Sequence, residues 1–164
     1  MPSNVGERDM MTSREVVRRT IRFEGADRLP YDLPGTRGTD FAGVGMTPSP
    51  DARPLNTSGV DEWGAVWENI GVCQLGEVKE FPLKDWKDFD KLKIPDIREP
   101  RRWESLKDAR KKAGDKFLLS YGISLYERVH FIRGLENTWV DIYENPVMLG
   151  RLLDMLVEMN LVAV

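Results

Sequence analysis

The run from Asn145 to Val164, NPVMLGRLLDMLVEMNLVAV, constrains the fold more than any other stretch. Asparagine followed by proline is a helix start: a side chain able to cap free N–H groups, then a ring already set to helical φ. Apolar residues recur at Leu149, Leu152, Leu153, Leu156, Met159 and Ala163, a spacing that puts them on one face to be buried. A helix this apolar needs a partner surface, and little sequence is left to supply one. The run stops at Val164 with no capping glycine or polar tail. The expectation is a fragment or a truncated gene product.

Upstream, the pattern alternates. Residues 1–11 read as a disordered tail. Thr12-x-x-Glu15 is a capping box, and Val16, Val17, Thr20, Ile21 and Phe23 follow in a short amphipathic helix ended by Gly25. Arg28-Leu-Pro-Tyr-Asp-Leu33 is a strand candidate, with its proline at the start or edge. Pro34 to Ser58 is rich in Gly, Pro, Thr and Asp and reads as a long loop. Residues 60–81 carry β-formers between turns at Gly71 and Gly76, which predicts two or three strands. Residues 84–92 form a short helical turn. Pro100 opens a helix closed by Gly114, with Lys111 and Lys112 in its last turn. Phe117 to Tyr121 is a short buried strand. Helices follow from Ser124 to about Arg133, from Leu135 to Glu144, and from Pro146 onward. Helix, strand, then helices implies an α/β chain with parallel strands.

Composition narrows the function classes. The chain has 164 residues, 41% apolar and 31% charged, enough for one sizeable core. A net charge of -3 gives no general pull toward nucleic acid or an anionic membrane. No apolar run is long enough to span a bilayer, and the polar start MPSNVGERDMM lacks the centre of a signal peptide. A single cysteine, Cys73, excludes an intramolecular disulfide and fits a reducing cytoplasm; its neighbours Val72 and Leu75 make it a buried, inert thiol. The sequence carries no dinucleotide fingerprint, phosphate loop, Cys-x-x-Cys or His-Glu-x-x-His. One histidine and one cysteine cannot close a zinc site alone.

Four stretches in order carry a resemblance: TSREVVRRTIRFEGADRLPYDL, VDEWGAVWENIG, GEVKEFPLKDWKDFDKLKIPD and GISLYERVHFIRGLENTWVDIYENPVMLGRLLDML. Together they resemble the uroporphyrinogen decarboxylase superfamily, which contains the tetrapyrrole decarboxylases and the corrinoid-dependent methyltransferases. The resemblance implies a distorted (β/α)₈ TIM barrel. Such barrels run to about 200 residues or more, so residues 12–164 would be the N-terminal half, truncated. The site would lie at the C-terminal ends of the strands.

The sequence departs from the decarboxylases in one place. Their arginine-rich loop, of the form RQAGRY, holds the substrate carboxylates. Here Pro34-Gly-Thr-Arg-Gly-Thr-Asp40 has one arginine. That argues for the methyltransferase-like branch, with decarboxylation of uroporphyrinogen side chains as the alternative. A third reading, of another class, is a non-catalytic half-barrel that binds a partner protein. The family implies a corrinoid, and zinc in the methyltransferases, whose His-x-Cys pair and later Cys fall in the C-terminal half. No metal ligand is expected in this chain. The implied partners are a small-molecule or corrinoid substrate, a corrinoid protein, and the missing half-barrel or a second copy of the chain.

Candidate site residues follow from both readings. Asp61 opens DEWG; the resemblance places it where an aspartate faces the pyrrole nitrogens of a decarboxylase substrate, while the local reading is a turn aspartate or cap before Trp63. Arg37, between Gly35 and Gly38, could grip a carboxylate or phosphate. Asp32 ends the first strand candidate. In GISLYERVHFIRG, Ser124 and Glu127 form a second capping box, which makes Glu127 structural. Leu125, Val129 and Ile132 share the core face of that helix, and Tyr126, His130 and Arg133 the neighbouring one. His130 stands where the resemblance puts a substrate-contacting tyrosine. A histidine there could donate a hydrogen bond or move a proton. Arg133 could pair with Glu136 or Asp141, or point at an anion. Asp61 and His130 are thus the catalytic candidates, and Arg37, Asp32, Tyr126 and Arg133 the substrate-binding ones.

Overall fold

A computed structural model describes residues 10–33, 35–50, 52–53, 56–71 and 76–163, with Thr36 in its backbone only. Cys73 and most of the expected N-terminal tail lie outside these residues. In chain order the elements are α1 (Ser13–Arg22), β1 (Phe41–Val44), β2 (Gly59–Val60), β3 (Val66–Glu68), β4 (Glu77–Glu80), α2 (Ala109–Ala113), β5 (Phe117–Ser120), α3 (Leu125–Arg133), α4 (Leu135–Glu144) and α5 (Pro146–Ala163). Short 3₁₀ segments lie at Gly35–Arg37, Trp86–Lys91 and Pro100–Leu106. The chain is mixed α/β with two small sheets, and among the described residues no closed barrel forms. No helix among them is long and apolar enough to cross a membrane. Two compact units are present: Met1–Gly45 with Ser105–Tyr121, and Met46–Glu104 with Gly122–Val164.

In the first unit, α1 starts as its capping chemistry dictates: Thr12 Oγ1 accepts from the Glu15 N–H at 3.2 Å. Glu15 then pairs with Arg18 and Arg19 at 2.8 and 2.7 Å, and Val16 and Val17 are buried. The helix ends at Phe23, in the left-handed region at φ 57, rather than at Gly25. The Glu24 N–H reaches the Arg19 carbonyl at 2.9 Å, so the terminal carbonyls are met one residue before any glycine is needed.

The strand expected at 28–33 reduces to one antiparallel bridge, Asp32 to Thr39. Pro30 offers no N–H, and the Tyr31 N–H is taken by the Asp40 carboxylate at 2.9 Å. Arg28 grips that same buried carboxylate with two bonds of 2.6 Å. The chain therefore folds around Asp40 instead of extending. The strand lies inside the expected loop: β1 runs parallel to β5, with Phe41 opposite Phe117 and Val44 opposite Ser120.

The helix expected from Pro100 to Gly114 divides into the 3₁₀ segment and α2. The Arg102 carbonyl, inside the 3₁₀ segment, accepts from the Thr47 N–H of a distant loop at 2.7 Å.

The second unit contains the antiparallel sheet β2-β3-β4, with an irregularity between Val66 and Trp67. Its three strands match the number expected for residues 60–81. Helices α3, α4 and α5 pack in sequence around Val129, Ile132, Leu149, Leu152, Leu156 and Met159, joined by Trp63, Leu83, Phe89 and Ile97. Leu152 and Leu156 are fully buried, as the periodicity requires. Asn145 does not use its side chain as the expected cap: Nδ2 donates to Asp141 Oδ1 at 2.8 Å.

Candidate functional site

The candidate site is a cleft of about 330 Å³ in the second unit. Two local structures form its walls. One is the turn that begins at Asp61; the other is the first two turns of α3. Glu62, Trp63, Ile123, Glu127, Arg128 and Phe131 face it, with Met46, Pro95 and Ile97 completing the apolar side.

Asp61 organises its turn. Oδ1 accepts from the N–H groups of Trp63 and Ala65, both at 2.9 Å, and Oδ2 accepts from Trp67 Nε1 at 2.9 Å. A fourth contact reaches Oδ2 from Arg128 Nη1 at 3.4 Å. Asp61 is therefore an acceptor already engaged on both oxygens. Glu62, next to it, faces the cleft with both oxygens held by Nη2 of the buried Arg102, at 3.0 and 2.9 Å.

On α3, Ser124 stands at the N-cap but its hydroxyl makes no capping bond, so the second capping box does not form. The start of the helix is held differently: the Asn160 side chain accepts from the Ile123 N–H at 2.6 Å and donates to its carbonyl at 2.8 Å. Glu127, expected to be structural, lines the cleft instead.

Arg128 follows it. Its guanidinium lies 5.1 Å from the Trp63 ring and 5.4 Å from that of Phe131. Its Nε–H is buried and has no partner among the described residues. Burial pulls the Arg128 pKa below the ordinary arginine value, against the opposing pull of Asp61 and Glu62.

The other expected residues lie elsewhere. His130 is half-buried, one turn past Tyr126, whose ring it meets edge-on at 3.9 Å. Its Nε2 is buried without a partner among the described residues, and desolvation lowers its pKa. No hydrogen bond or ion pair joins His130 to Asp61 among the described residues; the α3 side chain that meets Asp61 is Arg128. Tyr126 is 63% exposed. Arg133 is buried against Asp141, Nε to Oδ2 at 2.6 Å, and donates through Nη1 to the Lys84 carbonyl at 2.7 Å, with Trp86 over its plane. Of its expected directions, toward Glu136, toward Asp141 or toward an anion, it takes the second, which removes it from the substrate-binding candidates. Arg37 and Asp32 belong to the first unit, both exposed, on the 3₁₀ turn and the bridge to Thr39.

Arg128 was absent from the sequence-based candidates. Beside Glu127 it reads as one half of a solvated charge pair. Its signal was the spacing Ser124, Glu127, Arg128, Phe131, a single helical face.

Among the described residues no group of three or more His, Cys, Asp or Glu side chains could hold a metal ion. Comparison with family models, curated proteins and solved structures finds no match to this chain.

Proposed function

We propose that the chain carries the N-terminal part of a uroporphyrinogen decarboxylase-like barrel enzyme serving corrinoid-dependent methyl transfer. The observation that carries this reading is that three of the four resembling stretches border one cleft: VDEWGAVWENIG and GISLYERVHFIRG form its walls, and GEVKEFPLKDWKDFDKLKIPD reaches it through Pro95. Its volume of about 330 Å³ falls in the range of small-molecule sites. A corrinoid is much larger, so the cleft would take the small partner of the transfer. Asp61 would hold the turn that forms one wall. Decarboxylation draws less support: a substrate with eight carboxylates needs a bed of cations, and Arg37 stands exposed on a 3₁₀ turn.

The test is spectroscopic. Methylcobalamin and a panel of thiols are incubated with this chain, and with the complete product of its reading frame. Protein-dependent loss of the methylcobalamin absorbance supports the reading. An unchanged spectrum with every acceptor in the panel overturns it.

One observation favours a non-catalytic second reading. Trp139 and Tyr143 on α4 and Val147 on α5 are 53%, 88% and 81% exposed, large apolar side chains that a partner protein would cover. A sedimentation profile independent of concentration, and unchanged by a Trp139→Ser substitution, would remove the case for self-association there.

A further inference from the structure

We infer that the cleft binds a small monocarboxylate with an apolar body, its carboxylate gripped by Arg128. The inference rests on the reading of this cleft as the substrate site, and names the class of molecule it takes.

The argument begins with unmet donors. A guanidinium offers five N–H donors in a rigid fork. Arg133 and Arg102 turn their outer nitrogens to close partners: Asp141 and the Lys84 carbonyl for the first, both oxygens of Glu62 for the second, although the Arg102 Nε–H is buried and unmet like that of Arg128. Arg128 makes one contact of 3.4 Å, and its Nε–H meets no partner among the described residues. Asp61 cannot swing closer to satisfy it, because Trp63, Ala65 and Trp67 hold its two oxygens from the other side. The buried Nε–H is sealed beneath the side chain, so the outer edge of the fork, on a residue that lines the cleft, is what a planar carboxylate can meet in a bidentate way.

The rest of the cleft limits what can carry that carboxylate. Met46, Ile97, Ile123 and Phe131 offer an apolar wall for the body of the ligand. Glu62 is neutralised by Arg102, whereas Glu127 on the neighbouring position of α3 has no ion pair among the described residues. A second carboxylate on the ligand would meet Glu127 without a compensating cation. The site therefore selects for one negative charge.

Calorimetric titration with benzoate, benzyl alcohol and phthalate tests this directly. Benzoate should bind at least about tenfold tighter than benzyl alcohol, the gain expected of a charge-assisted pair, and tighter than the dianion phthalate. Arg128→Met should erase the preference for benzoate, and Arg128→Lys should keep part of it. Equal binding of benzoate and benzyl alcohol, no benzoate binding, or an unaltered preference in a folded Arg128→Met protein overturns the inference. If Arg128→Met does not fold, the wild-type comparison of the three ligands decides. Binding requires no methyl transfer, so the two proposals fail separately. Benzoate selectivity without methylcobalamin chemistry removes only the assigned reaction. Methylcobalamin chemistry without benzoate selectivity removes only the assigned ligand class.

Discussion

Arg128 and Asp61 meet through a single long contact, Nη1 to Oδ2 at 3.4 Å, although both are more than three-quarters buried. Three shorter bonds to Asp61 explain the distance. They come from the Trp63 and Ala65 N–H groups and from Trp67 Nε1, and they tie the carboxylate to its own turn. Asp61 thus shapes a wall of the cleft, and the guanidinium remains the under-used group.

The first prediction follows from that division of work. Asp61→Ala strands three donors and removes the carboxylate that Arg128 touches, so it should destabilise the protein by about 2–4 kcal/mol. Asp61→Asn keeps the Oδ1 acceptor and should lose roughly half as much. Urea denaturation of both variants measures the difference. A loss below about 1 kcal/mol for Asp61→Ala would mean that the turn does not depend on its carboxylate.

Acid should weaken the fold through two buried aspartates. The Arg28 guanidinium holds the Asp40 carboxyl well below the usual range. Burial pushes Asp141 up, but hydrogen bonds from Arg133, Trp86 and Asn145 outweigh it and leave its pKa lowered. Each binds its proton less tightly folded than unfolded. Each therefore adds stability that is present above the ordinary value of 3.8 and is lost as pH falls through the lower folded value. Unfolding midpoints should drop from about pH 4 downward. Asp141→Asn should flatten part of that acid limb, and at pH 7 should cost about 3 kcal/mol by stranding Arg133. An unchanged acid limb in Asp141→Asn would remove Asp141 from the account.

Legibility divides along local and distant chemistry. Thr12 and Glu15 announce α1 because the cap bond spans three residues. The leucines of α5 announce its buried face because helical period alone sets it. β1 was hidden: Phe41-Ala-Gly-Val44 has two small residues and pairs with Phe117–Ser120, far along the chain. Ser124 and Glu127 have the spacing of a capping box, yet the Asn160 amide already fixes Ile123 at the start of α3. Arg128 was the hardest to read. Its unmet donor depends on Asp61 being filled by Trp63, Ala65 and Trp67, a relation across 67 positions that no window of sequence contains.

His130 supplies a prediction near neutral pH. Desolvation lowers its pKa from the ordinary 6.5, so the folded state resists protonation more than the unfolded chain does. The stability it permits is full above 6.5 and declines as pH falls from there toward the folded value. The melting temperature of the wild type should fall as the pH drops below 6.5, a slope that His130→Phe should lack. The variant also removes the buried, unpartnered Nε2, so its melting temperature at pH 7 should equal or exceed the wild-type value. A wild-type slope retained in His130→Phe would assign it to other groups.

Two glycines should respond to alanine in opposite directions. Gly134 joins α3 to α4 at φ +91, where an added Cβ would stand 3.1 Å from Phe81 Cε2. Its N–H donates to the His130 carbonyl at 2.8 Å, and its own carbonyl accepts from Thr138 Oγ1 at 2.7 Å, so the backbone cannot relax without breaking both helix ends. Gly134→Ala should destabilise by about 1–3 kcal/mol, from backbone strain and the forced shift of Phe81. Gly150 lies inside α5, and an added Cβ there meets nothing within 4 Å. Gly150→Ala should stabilise by about 0.5–1 kcal/mol, because alanine loses less freedom than glycine on entering a helix. Paired urea melts decide both. A neutral Gly134→Ala would mean that the α3–α4 junction has room to move, and with it the helix that carries Arg128.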